Sequence, residues 1–142
     1  MSSSDDAPES GVLLRWTGED LVFRGRAAGA PEIVVDGDNT AGASPMRLLL
    51  LSVAGCMAID VVMILEKSRV PVESLEVEVD GERAETPPRR YRSLSLVYRV
   101  EGPGPEHQDK LQRAVDLSRD TYCSVLHSLR DDLELDIRIV RA

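Results

Sequence analysis

Cys56 and Cys123 are the two thiols of this chain. A thiol does chemistry as its thiolate, which positive charge or a helix N-terminus stabilises. Cys123 stands where one helical pattern stops and another begins, so unpaired backbone N–H groups there can hold its anion. Cys56 sits mid-helix beside Gly55 in a wall of Leu, Val, Ile and Met, where burial raises a thiol pKa and leaves it inert. Taken singly, either cysteine reads as a buried structural thiol, the commoner case. Ser52, Cys56 and Asp60 fall at i, i+4 and i+8 and form one narrow polar stripe along that helix. Asp60 could orient a ligand or an Arg, but a carboxylate that near opposes thiolate formation, and a hydrogen-bonding role is plainer. His127, one helical turn after Cys123, is open to a Cys–His acid–base pair, with a partly exposed structural His as the plainer alternative. Zinc needs three or four ligands at recognisable spacing. Cys56, Cys123, His107 and His127 have no such pattern, so neither a metal site nor a cofactor is expected.

The elements that must position these residues follow from periodicity. Val12 to Trp16, Leu21-Val22-Phe23 and Ile33-Val34-Val35 are β-rich and separated by turn residues, predicting two or three short strands. After a loop at 36–43, Ser44-Pro45 opens a helix, with Ser as N-cap and Pro at the first helical position. That helix should run to about Ser68, and its apolar character on almost every face predicts a central rod covered on most sides. Residues 72–82 and 93–100 alternate as strands, joined by an exposed basic segment at 83–92. A helical period over 106–122, a shorter helix over 123–129 and an alternating strand over 133–139 complete the order βββ–α–ββ–αα–β. The fold class is α+β, with antiparallel strands packed on helices.

Length and charge set the frame. The 142 residues fit one domain, expected over 11–142 after a disordered acidic tail at 1–10. A formal charge of −8 argues against a nucleic-acid partner, which demands Lys and Arg to displace counterions. The first ten residues have no basic start and no apolar run, so no secretory signal is read and a cytoplasmic location is expected. The apolar stretch 48–59 is shorter than the ~20 residues a membrane span needs, so no membrane partner is expected.

Two segments in register look like a known family. The run Ser44-Pro45-Met46-Arg47-Leu48-Leu49-Leu50-Leu51-Ser52-Val53-Ala54-Gly55-Cys56, continued by Met57-Ala58-Ile59-Asp60-Val61-Val62, and the run Tyr122-Cys123-Ser124-Val125-Leu126-His127-Ser128-Leu129 resemble the OsmC/Ohr family. In wording they are similar to its YhfA-like branch. The resemblance implies an OsmC-like fold in which antiparallel sheets wrap long central helices in an intertwined homodimer, with two active sites at the dimer interface. It also implies a peroxiredoxin-like role in oxidative-stress defence. Cys56 matches the redox-active thiol that attacks the O–O bond of an organic hydroperoxide, and Cys123 the thiol that resolves the sulfenic acid to a disulfide. A cellular dithiol then reduces that disulfide.

The chain departs from the peroxidase branches at one point. They carry a Glu where Met46 stands here, and it holds an activating Arg in the loop before the long helix. Between Pro31 and Pro45 this chain has no Arg, leaving Arg24, Arg26 and Arg47 as substitutes. Two functions therefore stand side by side. One is a thiol-dependent hydroperoxide reductase with Cys56 and Cys123 as catalytic thiols and Ser52, Asp60, Arg47 and His127 in support. The other is a non-enzymatic dimer that binds a small apolar or lipid-like ligand, its cysteine pair vestigial or sensing.

Overall fold

The computed structural model describes residues 6–141, which form two compact units meeting at Leu49/Leu50. Residues 1–5 of the expected acidic tail lie outside the described residues. In the rest of that segment, the Pro8 carbonyl accepts the N–H of Gly11, just beyond it, at 3.0 Å.

The first unit is an antiparallel meander of β1 (Val12–Trp16), β2 (Val22–Ala27) and β3 (Ile33–Asp36). Gly18 and Asp20 take positive φ in the β1–β2 turn, where Thr17 Oγ1 donates to the Val22 carbonyl at 2.9 Å. Along β1 every second residue is apolar, and Val12, Leu14 and Trp16 are all exposed. Asp36 is the buried polar residue of this unit. Its carboxylate accepts the N–H groups of Asp38 (2.9 Å), Thr40 (3.2 Å) and Ala41 (2.8 Å). These bonds, Ala41's foremost, hold the carboxyl below its ordinary range. They also shape the loop that delivers Ser44 to the helix.

Helix α1 (Pro45–Lys67) starts as its N-cap predicts: Ser44 Oγ accepts the Arg47 N–H at 3.4 Å and the Ser44 carbonyl accepts the Leu48 N–H at 2.8 Å. It ends with Arg69 in the left-handed region at φ 57°. There the Val70 N–H returns to the Leu65 carbonyl at 2.9 Å and the Arg69 N–H to Glu66 at 3.0 Å, the two bonds of a Schellman cap. The expected cover on most sides is not found. One stripe, Val53, Met57, Val61 and Leu65, is buried, while Leu51, Ile59, Val62 and Met63 are exposed. The apolar pattern resumes after Asp60, so α1 is long and apolar enough to cross a membrane by length and composition, which the run 48–59 did not suggest. Its buried stripe instead seats a protein core.

That core lies wholly in the second unit. β4 (Ser74–Arg83) pairs antiparallel with β5 (Tyr91–Glu101), setting Val77 opposite Tyr98 and Val79 opposite Leu96. Leu94, Leu96, Tyr98 and Val100 point inward from β5 and join the α1 stripe and Leu111, Ala114 and Val115 of α2 (Gln108–Leu117). β6 (Glu134–Arg141) corrects the expectation of antiparallel sheets: it runs parallel to β5, with Leu96 beside Ile137 and Tyr98 beside Ile139. A chain leaving β5 and crossing through helices returns to the same end of the sheet, which makes the next strand parallel.

The helical period over 106–122 is also divided. A 3-10 turn (Pro105–His107) leads into α2, and a π turn (Ser118–Tyr122) follows it before the short α3 (Ser124–His127). The Cys123 N–H bonds to the Ser118 carbonyl at 2.9 Å, and the wider turn brings Cys123 onto the core side.

Candidate active site

Cys56 and Cys123 meet in the second unit. Both are free thiols, Cys56 half-buried on α1 and Cys123 fully buried at the start of α3; Cys56 is among the groups that act on Cys123, but the two sulfurs are not at disulfide distance. Residues from a central helix and from a distant turn are thus brought together by packing alone.

The setting of Cys123 is partly the one its position predicts. It is the N-cap of α3, with extended backbone at φ −70° and ψ 99°, and its Sγ accepts the Leu126 N–H at 3.3 Å. That bond favours the thiolate, but burial is the larger effect and pushes the thiol up, to about 11. The neighbouring Cys56 and the charge of Asp60 push the same way. The expectation of a helix-stabilised Cys123 anion is therefore corrected, because desolvation outweighs one backbone donor. Cys123 rests as a thiol at neutral pH.

Asp60, one turn beyond Cys56, is tied to the π turn: Ser118 Oγ donates to Asp60 Oδ2 at 2.9 Å, and Ser118 is fully buried. The plainer reading of Asp60 as a hydrogen-bonding residue describes this contact. Tyr98 of β5 completes the cluster. Its ring is fully buried, and its hydroxyl has no hydrogen-bond partner among the described residues. Burial, then the charges of Cys123 and Asp60, pushes the phenol far above its ordinary pKa, so it remains a donor throughout the range of enzyme chemistry.

The remaining sequence candidates are not among the groups that act on Cys123. His127 is exposed, and its Nε2 contacts the Arg119 carbonyl at 2.9 Å rather than Cys123, which corrects the notion of a Cys–His pair. Helical spacing put the two on one side, but the break between the π turn and α3 turns the imidazole back toward the preceding turn. Ser52 is exposed on α1, so the polar stripe enters the buried cluster only at Cys56 and Asp60. Arg47 is exposed in the first turn of α1, and Arg24 pairs with Glu32 at 3.3 Å in the first unit. No arginine is among the groups that shift Cys123. No group of three or more His, Cys, Asp or Glu side chains able to hold a metal occurs among the described residues.

Tyr98 and Ser118 were not singled out from the sequence, although a signal for each is there. Tyr98 is the polar-tipped member of an inward row of Leu and Val, and Ser118 occupies an apolar position of a helical period.

Several known proteins are similar to this chain in sequence or fold. Protein YhfA of Escherichia coli K12 is 41% identical over 113 residues, covering 79% of this chain and 83% of that protein. The crystal structure of a hypothetical protein from Aquifex aeolicus VF5 superposes with a TM-score of 0.80 at 30% identity, covering 92% of this chain and 94% of the other. An organic hydroperoxide resistance protein, OsmC, from Legionella pneumophila matches with a TM-score of 0.65 over 91% of this chain and 94% of its own. At 11% identity that last likeness is one of fold alone. The family model described as OsmC-like protein matches residues 36–138, from Asp36 through both cysteines and into β6, and the chain belongs to that family.

Proposed function

We propose that the protein is a two-cysteine thiol peroxidase that reduces organic hydroperoxides as a homodimer in the cytoplasm. The observation that supports this most directly is the pair of free thiols, Cys56 and Cys123, contributed by two distant elements and close enough for Cys56 to act on Cys123. In the reaction, Cys56 sulfur attacks the terminal oxygen of the hydroperoxide. The O–O bond breaks, an S–O bond forms, and the substrate leaves as its alcohol with the proton released by the thiol. Cys123 then attacks the Cys56 sulfenic acid, an S–S bond forms, and the hydroxyl departs with the Cys123 proton as water. A cellular dithiol returns both thiols by exchange. The half-buried Cys56 is the thiol a substrate can reach, and the buried Cys123 meets only what Cys56 has become.

A second copy of the chain supplies the missing cover. Leu51, Ile59, Val62 and Met63 leave an apolar face of α1 in water, and the first unit leaves Val12, Leu14 and Trp16 exposed. Such faces are characteristic of obligate interfaces. The intertwined dimer and its interfacial sites belong to this proposal.

The test is consumption of cumene hydroperoxide by pre-reduced protein with dithiothreitol, beside Cys56→Ser and Cys123→Ser. Turnover that vanishes in Cys56→Ser, with a peroxide-driven Cys56–Cys123 disulfide in the wild type, is expected. No turnover, with both thiols intact after excess hydroperoxide, would sink the proposal. The ligand-binding reading would then be favoured, for which the raised Cys123 pKa and the lack of an arginine acting on that thiol already speak.

A further inference from the structure

The first unit carries a cationic cleft that the thiol chemistry does not use. Alternation along β1 and β2 puts Leu13, Arg15, Arg24 and Arg26 on the face opposite Val12 and Leu14. Arg15 stands directly across from Arg24, and Leu13 directly across from Arg26, so three arginines share one small area of two neighbouring strands. Like charges directly opposite one another destabilise a strand pair. Composition does not demand them here, since the chain has 25 acidic residues to 17 basic. With Glu32, these four residues line an open cavity of about 440 Å³. Glu32 is the one carboxylate among the described residues that line it, and Arg24 Nη1 donates to Glu32 Oε1 at 3.3 Å. Three guanidiniums against one carboxylate leave two positive charges in excess, and arginine keeps its charge at any pH the protein meets.

We propose that this cleft binds a small, soluble phosphate monoester. The dianion of such an ester matches the excess charge, and its oxygens suit the planar donor forks of arginine. The half-buried Leu13 gives the organic group an apolar wall, and the cavity has the volume of a small-molecule site. A phosphoryl group between Arg15 and Arg24 turns their mutual repulsion into a shared attraction. The opposite face, with Val12 and Leu14, is the one assigned above to a second copy, so the cleft stays open in that dimer. Neither Cys56 nor Cys123 takes part, and the site stands or falls separately from the peroxidase reading.

The experiment titrates the reduced full chain with phenyl phosphate in a calorimeter at low ionic strength, since salt screens exposed charges. Expected is saturable binding that Arg15→Gln and Arg24→Gln each weaken by about 5- to 10-fold. Arg113→Gln, on α2 in the second unit, should leave it unchanged. Glu32→Gln removes the competing carboxylate and should tighten binding by about 2- to 5-fold, a sign that a misfolded variant does not produce. Wild-type affinity should fall as the pH is lowered from about 7.5 to about 5, because the ester takes up its second proton near pH 6 and loses a charge. No saturable heat, undiminished affinity in both arginine variants, or weaker binding by Glu32→Gln would each overturn the proposal. Inorganic phosphate bound as tightly as phenyl phosphate would overturn the ester and leave a bare anion site. Co-sedimentation with phosphatidylcholine vesicles containing phosphatidic acid, without binding of phenyl phosphate, would overturn the soluble ligand in favour of a lipid headgroup.

Discussion

Ser118 and Asp60 are joined by a 2.9 Å hydrogen bond that ties the π turn to α1 one helical turn beyond Cys56. The donor is fully buried and the acceptor is a carboxylate, so this single contact fixes where the segment leading to Cys123 meets the helix bearing Cys56. Its removal has consequences for both stability and the thiols.

Ser118→Ala leaves the half-buried Asp60 carboxylate short of a partner and should cost about 1–3 kcal/mol. Urea unfolding of the reduced protein at neutral pH measures it. A loss below a few tenths would mean that water replaces the hydroxyl.

Asp60→Asn removes one of the charges that hold Cys123 protonated. In a Cys56→Ser background, the ultraviolet absorbance of the thiolate should then rise at lower pH than in Cys56→Ser alone. An unchanged midpoint would show that burial alone governs this thiol.

Stability should fall in alkali because of Cys123. Its folded pKa, about 11, exceeds the ordinary thiol value of 9.0, so the folded state keeps a proton that the unfolded chain gives up. The contribution is fully present below pH 9 and is lost as pH rises from there through about 11. Urea titrations of wild type and Cys123→Ser between pH 8 and pH 11 isolate it: the wild type should lose stability more steeply than the variant, which lacks the thiol.

Ile59→Glu should yield a folded monomer. Ile59 is 61% exposed on α1, so the change disturbs no core contact of its own chain, yet it places a charge on the face proposed to meet a second copy. Sedimentation velocity at micromolar concentration decides the matter, and a variant that sediments as the wild type does would remove α1 from the interface.

Arg69→Gly should stabilise the protein by about 0.5–1 kcal/mol. Arg69 closes α1 with φ 57°, a conformation glycine adopts without the steric cost of a Cβ, partly offset by glycine's greater freedom in the unfolded chain. Thermal melts compare the two, and a fall in melting temperature would reveal a contact of the Arg69 side chain that outweighs its backbone strain.

Local chemistry determined much of this protein from sequence alone. Ser44-Pro45 marks the start of α1 because a hydroxyl cap and a missing N–H suit only that place in a helix. Alternation over β4, β5 and β6 reveals their inward rows, and the element order βββ–α–ββ–αα–β follows from where one period yields to another. The family resemblance was legible in the two cysteine-bearing segments, Ser44 to Val62 and Tyr122 to Leu129, for they are contiguous stretches of chain. What depends on distance in space was decided by tertiary structure. Periodicity has no sign for strand direction, so the parallel docking of β6 against β5 waited on the helical crossover. Helical spacing pointed His127 toward Cys123, but its imidazole contacts the Arg119 carbonyl in the π turn that precedes Cys123. A thiol at a helix start reads as acidic until its burial is known, and burial turned Cys123 into a weak acid. Tyr98, Asp60, Ser118 and the two cysteines come from three separate stretches of chain, and only the packing of sheet against helices brings them into one unit.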